Sequence, residues 1–473
     1  MLDLTPDEWV RMLLFRHQLE LDQLSMLNCY YEGTQPLSYL HPELLAELGP
    51  QMQQVVINWP RLVTDAVENR LDVTGFRLPN ADSSDSEMWR VWKANGMALQ
   101  SQQAHIDALV MRRSYIIIGA NPDDSNTPRI TAESALQMYA YYDPATRRCQ
   151  AAVKRWHDTD PFTGTLLNQW ATLYLPNATH FYKFGSDLGW QEIDRDNHDL
   201  GRPPVVTLAN RGRLLVPGGI SELADIIPIS NAACKIATDM MLGAEYHAIP
   251  RRWALGFDQQ DFVDKNGNPL SIWSRLAGRI WSTAKNRKDD GVEVGQFPES
   301  DLKNFHSTIE LLARVASAQA ALPPNYLGLT ADDAASDAAI RSREATLVKR
   351  AERKCGAFGD GYEEAQRIVR RFQTGEWDPE LLELETLWAD PATPTYAQKA
   401  DAAVKLKVAG IVPREQTWED LGYSSAQQGR MRAMFADERT QALGPEFSAL
   451  MGTDQQPPTG APAPAPALVP AGV

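Results

Sequence analysis

The sequence has few residues suited to redox or metal chemistry. Its four cysteines lie far apart and form no CxxC pair, as is typical of reduced thiols in a cytosolic protein. Of the eight histidines, His180 and His198 are the nearest pair in sequence, and they are separated by several helical turns. No two histidines can therefore bind a metal from adjacent turns on one face of a single helix. We expect no metal site and no cofactor.

Motifs of common enzymes are missing as well. The sequence contains no GxxxxGK[ST] phosphate loop, no GxGxxG after a strand, no HExxH and no GxSxG. Sites assembled from residues distant in sequence stay open at this point, because carboxylates are plentiful. The sequence favours a protein that is not an enzyme, with no catalytic or cofactor-binding residue to name.

Long hydrophobic runs are also absent. No stretch approaches the length needed to span a bilayer, and the start of the chain is acidic where a signal peptide is basic. We therefore expect a cytosolic protein with no membrane partner. The length of 473 residues predicts two to four structural regions. The net charge of −15 means that any contact with DNA should be loose or confined to local basic patches.

Helix and strand patterns alternate over the first half of the chain. Thr5, Pro6 and Glu8 form the start signal of a capped helix that ends at Gly33. Helical spacing returns over 58–71 and 87–113, short strands are predicted at 73–79 and 114–120, and a period-two pattern over 130–210 predicts an antiparallel meander. This part of the chain is predicted to be an α+β body.

Two helical patterns then bracket a segment of different chemistry. Apolar residues recur at helical spacing from Asp225 to Tyr246 and from Glu299 to Ala321. Residues 251–297 between them are rich in strand and turn signals and carry eight basic against six acidic residues. The pattern fits a small β module at the tip of a helical hairpin, and it also fits an ordinary hairpin with a decorated loop. The predicted hairpin core is Ile229, Ile236, Met240, Leu302, Phe305, Ile309 and Leu312.

The remaining chain is predicted to be mostly helical. Pro323 and Pro324 end the second hairpin helix, a small-residue loop follows, and a long helix runs from Ser336 to Phe372 with a basic stripe typical of a solvated face. Residues 376–450 predict two or three further helices. Residues 451–473 are rich in proline and alanine and are expected to be disordered or extended.

Four phrases give the chain a resemblance to a known family. They are YYEGTQPL at 30–37, NWPRLVTDAVENRLDVTGFR at 58–77, ALPPNYLGL with SDAAIRSREATLVKRAERK at 321–354, and KADAAVKLKVAGIV with LGYSSAQ at 399–427. Each phrase alone is weak, but their order and the helix-insert-helix element between them are much more specific. Up to about residue 450 the chain resembles the portal proteins, or head-to-tail connectors, of tailed double-stranded DNA phages of the siphophage type.

The resemblance implies a multi-region portal fold. It has an α+β wing, a two-helix stem, a small β-containing clip and a helical crown, and its subunits form a ring, commonly of twelve. The implied regions are 1–224 for the first part of the wing, 225–250 and 298–321 for the stem helices, 251–297 for the clip, 322–336 for the tunnel loop, 337–375 for the long wing helix, 376–450 for the crown and 451–473 for the tail.

The resemblance also implies a place and a set of partners. The ring would occupy one capsid vertex of the virion, after assembly in the host cytoplasm, and double-stranded DNA would pass through it during packaging and ejection. Implied protein partners are the terminase large subunit, the head-completion adaptor, and the major capsid and scaffolding proteins. Clip candidates for docking are Arg275, Arg279, Lys285, Arg287 and Lys288. Tunnel-loop candidates for facing DNA are Asn325, Tyr326, Thr330, Asp332, Asp333 and Ser336.

Two other classes of protein compete with this interpretation. Another non-enzymatic capsid or tail scaffold protein would share the composition, and only the helix-insert-helix element and the PPNYLGL loop separate it. A terminase or nuclease-type enzyme needs a phosphate loop or clustered carboxylates that hold metal. Neither has a local signature in the sequence.

Overall fold

The computed structural model describes residues 4–36, 55–79, 84–248, 252–255, 293–296, 303–329, 337–392, 396–423 and 425–450. The chain divides into two compact units, Met1–Thr393 and Pro394–Val473. Among the helices that lie in these ranges, none is both long and apolar enough to cross a membrane.

The first unit combines helices with small antiparallel sheets. Its described helices are α1 (Pro6–Glu32), α2 (Trp59–Glu68), α3 (Ser86–Ala94), α4 (Met97–Val110), α5 (Ile227–Ala248), α6 (Lys303–Ala320) and α7 (Asp337–Thr374). Its described strands are β1 (Val73–Arg77), β2 (Arg113–Gly119), β3 (Arg129–Ser134), β4 (Met138–Tyr142), β5 (Cys149–Thr159), β6 (Leu166–Tyr174), β7 (Ala178–Gly185), β8 (Gly189–Asn197), β9 (Val205–Ala209), β10 (Arg252–Leu255), β11 (Glu293–Gln296) and β12 (Glu385–Trp388). The predicted α+β class is confirmed.

Helix α1 begins and ends as its sequence predicts. The Thr5 hydroxyl accepts a hydrogen bond from the Glu8 N–H at 3.4 Å, and the Glu8 carboxylate accepts one from the Thr5 N–H at 2.8 Å. Gly33 ends the helix with a φ of 74°, a left-handed conformation that glycine adopts without strain. The buried face of α1 packs Trp9 and Leu13 against the sheet formed by β4 to β8.

That sheet is an antiparallel meander in the order β4-β5-β6-β7-β8. Its first four strands match the period-two segments of the sequence. The fifth, β8, was not predicted, because its residues from Gln191 onward are all exposed and nearly all polar, and so give no apolar alternation.

The main core lies around a second sheet, in the order β3-β2-β9. The interior of β2, from Ser114 to Ile118, is buried, and α7 packs on the same core through Leu347, Phe358 and Tyr362. Gly361 of α7 lies against Leu208 of β9, where any Cβ atom would collide with the leucine side chain. The long helix therefore approaches the sheet closely at a glycine.

Residues 376–392 do not form the α-helices that were predicted to begin at residue 376. They form a 3₁₀ turn at Pro379–Glu383 and strand β12, which pairs antiparallel with β1 through Phe76 and Thr386. Because this pairing joins them to the first unit, the boundary lies near residue 394. The second unit contains α8 (Tyr396–Val408), α9 (Arg414–Asp420) and α10 (Ser425–Leu450), with Trp418 stacked on Phe435 at 5.5 Å.

Candidate functional site

Helices α5 and α6 form the hairpin that the sequence predicts. Strand β10 follows α5 and pairs antiparallel with β11, which precedes α6, so that Arg252 lies opposite Gln296 and Leu255 opposite Glu293. The two helices also pack on each other, and the N-terminal half of α5 and the C-terminal half of α6 share the main core. They are therefore antiparallel. The five predicted docking residues, Arg275, Arg279, Lys285, Arg287 and Lys288, lie outside the described residues.

The buried positions of the two hairpin helices are small residues. Those buried are Ser230, Ala233, Cys234, Ala237 and Thr238 on α5 and Ala313, Ala316, Ser317 and Ala320 on α6. Small side chains allow two helix backbones to approach closely. The larger residues of the predicted hairpin core are less buried than these small ones. Ile229, Ile309 and Leu312 are half-buried against the main core, Ile236, Met240 and Phe305 are half-buried, and Leu302 lies outside the described residues.

Other faces of the hairpin carry exposed apolar side chains. Met241 is 58% exposed on α5, and Leu311 is 57% exposed on α6. Val315 is also exposed. Leu311 and Val315 are four residues apart and therefore lie on the same face of α6.

A buried ionic cluster holds the base of the hairpin. Glu222, which precedes α5, is completely buried and lies 3.2 Å from the Lys354 ammonium of α7. It also pairs with Arg350, and the Asn210 amide donates a hydrogen bond to it at 3.0 Å. Burial opposes ionisation of Glu222, but Arg350 and Lys354 outweigh it and hold its pKa below the ordinary value.

The same cluster reaches the end of the second hairpin helix. Arg350 donates a hydrogen bond to the carbonyl oxygen of Ala320, the last residue of α6. A cation at a helix C-terminus is favourable because the last carbonyls carry partial negative charge. Part of the basic stripe of α7 is therefore buried, and its interpretation as a solvated face is wrong for Arg350 and Lys354. Glu222 could not be predicted from the sequence, because Arg350 and Lys354 lie in a distant part of it.

The loop after α6 is anchored by a tyrosine. Tyr326 lies in the 3₁₀ turn Pro324–Leu327, and its hydroxyl donates to the Glu344 carboxylate of α7 and accepts from Arg70, each at 3.3 Å. Arg70 lies 3.5 Å from Glu344. This geometry makes Tyr326 an anchor of the loop, and its role in facing DNA stays a prediction. Asn325 is exposed, and Thr330, Asp332, Asp333 and Ser336 lie outside the described residues.

Buried ionisable groups elsewhere serve the packing of the core. Burial lowers the pKa of His105 to about 3, and its ring stacks on Phe358 at 5.2 Å and hydrogen-bonds the Tyr362 hydroxyl at 2.8 Å. Burial raises the pKa of the Cys149 and Cys355 thiols to about 12, so neither is an activated nucleophile. In the ranges that the structure describes, no cluster of three or more His, Cys, Asp or Glu side chains could hold a metal ion.

Comparisons with known proteins agree on one family. The model of the family described as "Phage portal protein, SPP1 Gp6-like" matches residues 13–439. The portal protein of Mycobacterium phage D29 is 36% identical over 438 residues, which are 90% of this chain and 86% of that protein. The portal protein of Mycobacterium phage L5 is 36% identical over 468 residues, which are 94% of this chain and 92% of that protein.

A more distant likeness is to a chain in the solved neck of a native GTA particle, computed with C12 symmetry. It covers 80% of this chain and 94% of that chain, with a TM-score of 0.41 and 13% identity. That likeness is too distant to support a conclusion about this chain. The family match and the two phage relatives, which extend over nearly the whole chain, show that it belongs to the SPP1 Gp6-like family of phage portal proteins, as a structural, non-enzymatic part of the DNA passage at the capsid vertex.

Proposed function

We propose that the chain is one subunit of a ring, of twelve copies, in which the α5–α6 hairpin is the stem that forms the channel wall. The observation that carries this proposal is the antiparallel hairpin itself. It has small residues at its buried positions, exposed apolar side chains on its other faces, and a strand pair, β10–β11, that continues beyond the helices. A hairpin of this kind gains stability when neighbouring copies cover its exposed apolar faces.

The other regions take their roles from their position along the chain relative to this stem. Residues 1–224 and α7 form the wing, 251–297 the clip, 322–336 the tunnel loop, 394–450 the crown and 451–473 the tail. The anchoring of Tyr326 to Glu344 supports a tunnel loop whose first part is fixed to the wing while the residues after it approach the DNA.

The ring is tested by electron microscopy and native mass spectrometry of the purified protein. Electron micrographs should show rings with a central hole, and native mass spectrometry should give twelve subunits. Replacing Leu311 by Asp places a charge on the exposed face of α6 and should reduce ring formation. Leu99→Asp is the matched control, because Leu99 is 62% exposed on a helix outside the hairpin. If the Leu311→Asp and Leu99→Asp variants form rings equally well, the stem assignment is wrong.

We assign the docking of protein partners to the clip, residues 251–297. The terminase large subunit would dock on its basic residues during packaging, and the head-completion adaptor would dock there afterwards, through pairing with acidic partner surfaces. Alanine at Lys285, Arg287 and Lys288 together should weaken both interactions in a pull-down assay while rings still form. Unchanged binding of both partners would remove the clip assignment.

A further inference from the structure

Two leucines at the tip of a short turn are almost fully exposed. Arg213 and Val216 exchange backbone hydrogen bonds of 3.1 and 2.9 Å, which leaves Leu214 and Leu215 at the tip. These leucines are 79% and 94% exposed. They contribute nothing to the cores of their own chain, so their exposure costs free energy unless another surface covers them.

The turn is held firmly at its base. The backbone N–H of Ile220 donates to the Asn210 carbonyl oxygen at 2.8 Å, and the Asn210 side chain donates to the Ile220 carbonyl oxygen, also at 2.8 Å. Asn210 in turn bonds Glu222 and Lys354 of the buried ionic cluster. The leucine turn, Arg213–Val216, therefore projects from a base that is hydrogen-bonded to the buried cluster.

A groove of about 1370 Å³ opens elsewhere on the same unit. Small-molecule sites usually measure about 300–1000 Å³, so this groove has the size of a site for a polypeptide segment. Leu382 on its wall is 72% exposed and Trp377 is 40% exposed. The Arg202 guanidinium lies 3.9 Å from the centre of the Trp377 ring and pairs with Glu364, which fixes the indole in place. The groove thus presents a preformed apolar wall.

The groove and the turn lie at opposite ends of strand β9. Val205, Val206 and Thr207 at its start line the groove, whereas the turn follows its last residue, Ala209. A five-residue strand spans about 17 Å. A projection and a recess held apart in this way cannot meet within one chain, but they can meet between two copies arranged head to tail, which is the contact that closes a ring.

We propose that the leucine turn of one subunit inserts into the groove of the next subunit. The occupant is a second copy of this chain, and the inference rests on the proposed ring. The charged side chains also allow this pairing. Arg213 beside the leucines is exposed and makes no ion pair with any residue that the structure describes. Four acidic and four arginine side chains line the groove. Glu364 is paired with Arg202 and Arg367, and the Asp143 and Asp378 carboxylates accept hydrogen bonds within their own turns. Asp360 is exposed and has no ion pair with any described residue, so Arg213 can pair with it.

A disulfide trap tests the contact in the full-length protein. Leu215→Cys and Leu382→Cys are combined in a Cys149→Ser background, because Cys149 also lines the groove. Oxidation of assembled rings should give a ladder of covalent oligomers on a non-reducing gel. Each single cysteine variant should give no ladder, and a mixture of the two single variants should give dimers only.

A second measurement does not depend on disulfide geometry. Leu214→Asp with Leu215→Asp should raise the concentration at which rings form by about tenfold or more, since two apolar side chains per contact lose their cover. The matched control is Phe162→Asp, because Phe162 is 95% exposed at another turn. Circular dichroism should be unchanged in both variants, since all three side chains are exposed.

The outcomes distinguish a failure of the inserted leucine turn from a failure of the proposed ring. Rings that form normally with the double aspartate variant and give no ladder would overturn the inserted turn while leaving the ring intact. A loss of rings with Phe162→Asp but not with the leucine variants would also overturn it, in favour of a contact through the β5–β6 turn. Absence of rings from the unmutated protein would overturn both the inserted turn and the proposed function.

Discussion

At the scale of single residues, Glu222 joins three parts of the chain. It is buried between Arg350 and Lys354 of α7 and precedes the first hairpin helix. Removing one partner of a buried ion pair usually costs about 3–5 kcal/mol, because the other charge is left unpaired. We expect Glu222→Gln to lower the free energy of unfolding by that amount at pH 7, as measured by urea denaturation.

The control for this substitution is another carboxylate on the same segment. Asp225 pairs with Arg211 at 2.8 Å, but both side chains are partly exposed. Asp225→Asn should therefore cost about 1 kcal/mol or less. The dependence on pH also has a defined sign. Because the pKa of Glu222 is lowered by folding, its contribution is present at neutral pH and is lost as the pH falls below the ordinary pKa of a glutamate and through the lowered one. Equal losses for the two variants at pH 7 would show that the buried cluster contributes no special stability.

His105 should make the protein sensitive to mild acid. Its pKa falls to about 3 in the folded protein, against about 6.5 for an exposed imidazole. Between these values the unfolded chain binds a proton that the folded chain does not, so stability falls as the pH falls. From pH 6.5 to pH 4 this amounts to about 3 kcal/mol. His105→Phe should remove that part of the loss, as shown by urea denaturation at both pH values.

The substitution also removes the hydrogen bond to Tyr362, which should lower stability by about 1 kcal/mol at every pH. The informative quantity is therefore the change of stability with pH. His157, which is exposed on β5, provides the control, since His157→Gln should leave the acid sensitivity as it is in the unmutated protein. A His105→Phe variant with unchanged acid sensitivity would contradict a buried, neutral His105.

Single residues were the hardest features to predict from the sequence. Lys354 belongs to a stripe of charges that has the pattern of a solvated helix face, and only the fold shows that Glu222 and Asn210 surround it. Tyr326 lies in a loop that the sequence marks as functional, but its partners Arg70 and Glu344 come from two other segments. Pairings between distant segments leave no periodic signal in one sequence.

At the scale of elements, the contact between α7 and β9 depends on a glycine. A Cβ at Gly361 would collide with the buried Leu208 side chain and lie 3.6 Å from Val206. Gly361→Val should therefore destabilise the protein by about 2–3 kcal/mol through overpacking. Gly356 is the matched control, because it lies in the same helix and is exposed, with nothing within 4 Å of its Cβ position.

Gly356→Val should change the stability by less than about 0.5 kcal/mol, since valine is a slightly better helix former than glycine. Thermal unfolding followed by circular dichroism compares the two variants. Similar melting temperatures for both would mean that α7 does not pack closely on β9.

Most elements could be predicted because their signals are local. The capping box of α1, the turns between the strands of the meander and the helical spacing of the hairpin each lie within a few residues. Strand β12 was missed because its only strand partner in the described sheets is β1, which lies far earlier in the sequence. The small residues at the buried positions of the hairpin were missed because alanine and serine stand out less in a helical pattern than isoleucine or leucine do.

At the scale of the whole molecule, the balance of charge is the property that bears most directly on DNA passage. Each chain carries a net charge of −15, so a ring of such chains is strongly acidic. A protein that binds DNA through many phosphate contacts holds it in place and loses affinity steeply as salt rises. A passage through which DNA slides must avoid such contacts, and an acidic surface does so by repulsion.

We therefore expect assembled rings to bind a fluorescent DNA duplex only weakly, with a Kd above about 10⁻⁴ M at physiological salt, the weak end of non-specific DNA binding. Between about 50 and 200 mM salt, fluorescence anisotropy should show little change. A basic DNA-binding protein with six to ten phosphate contacts would lose about 10³ to 10⁵ in affinity over that range. A similarly steep salt dependence for the rings would mean that phosphates are held at local basic patches despite the overall charge, and the passage would then work by gripping DNA rather than by repelling it.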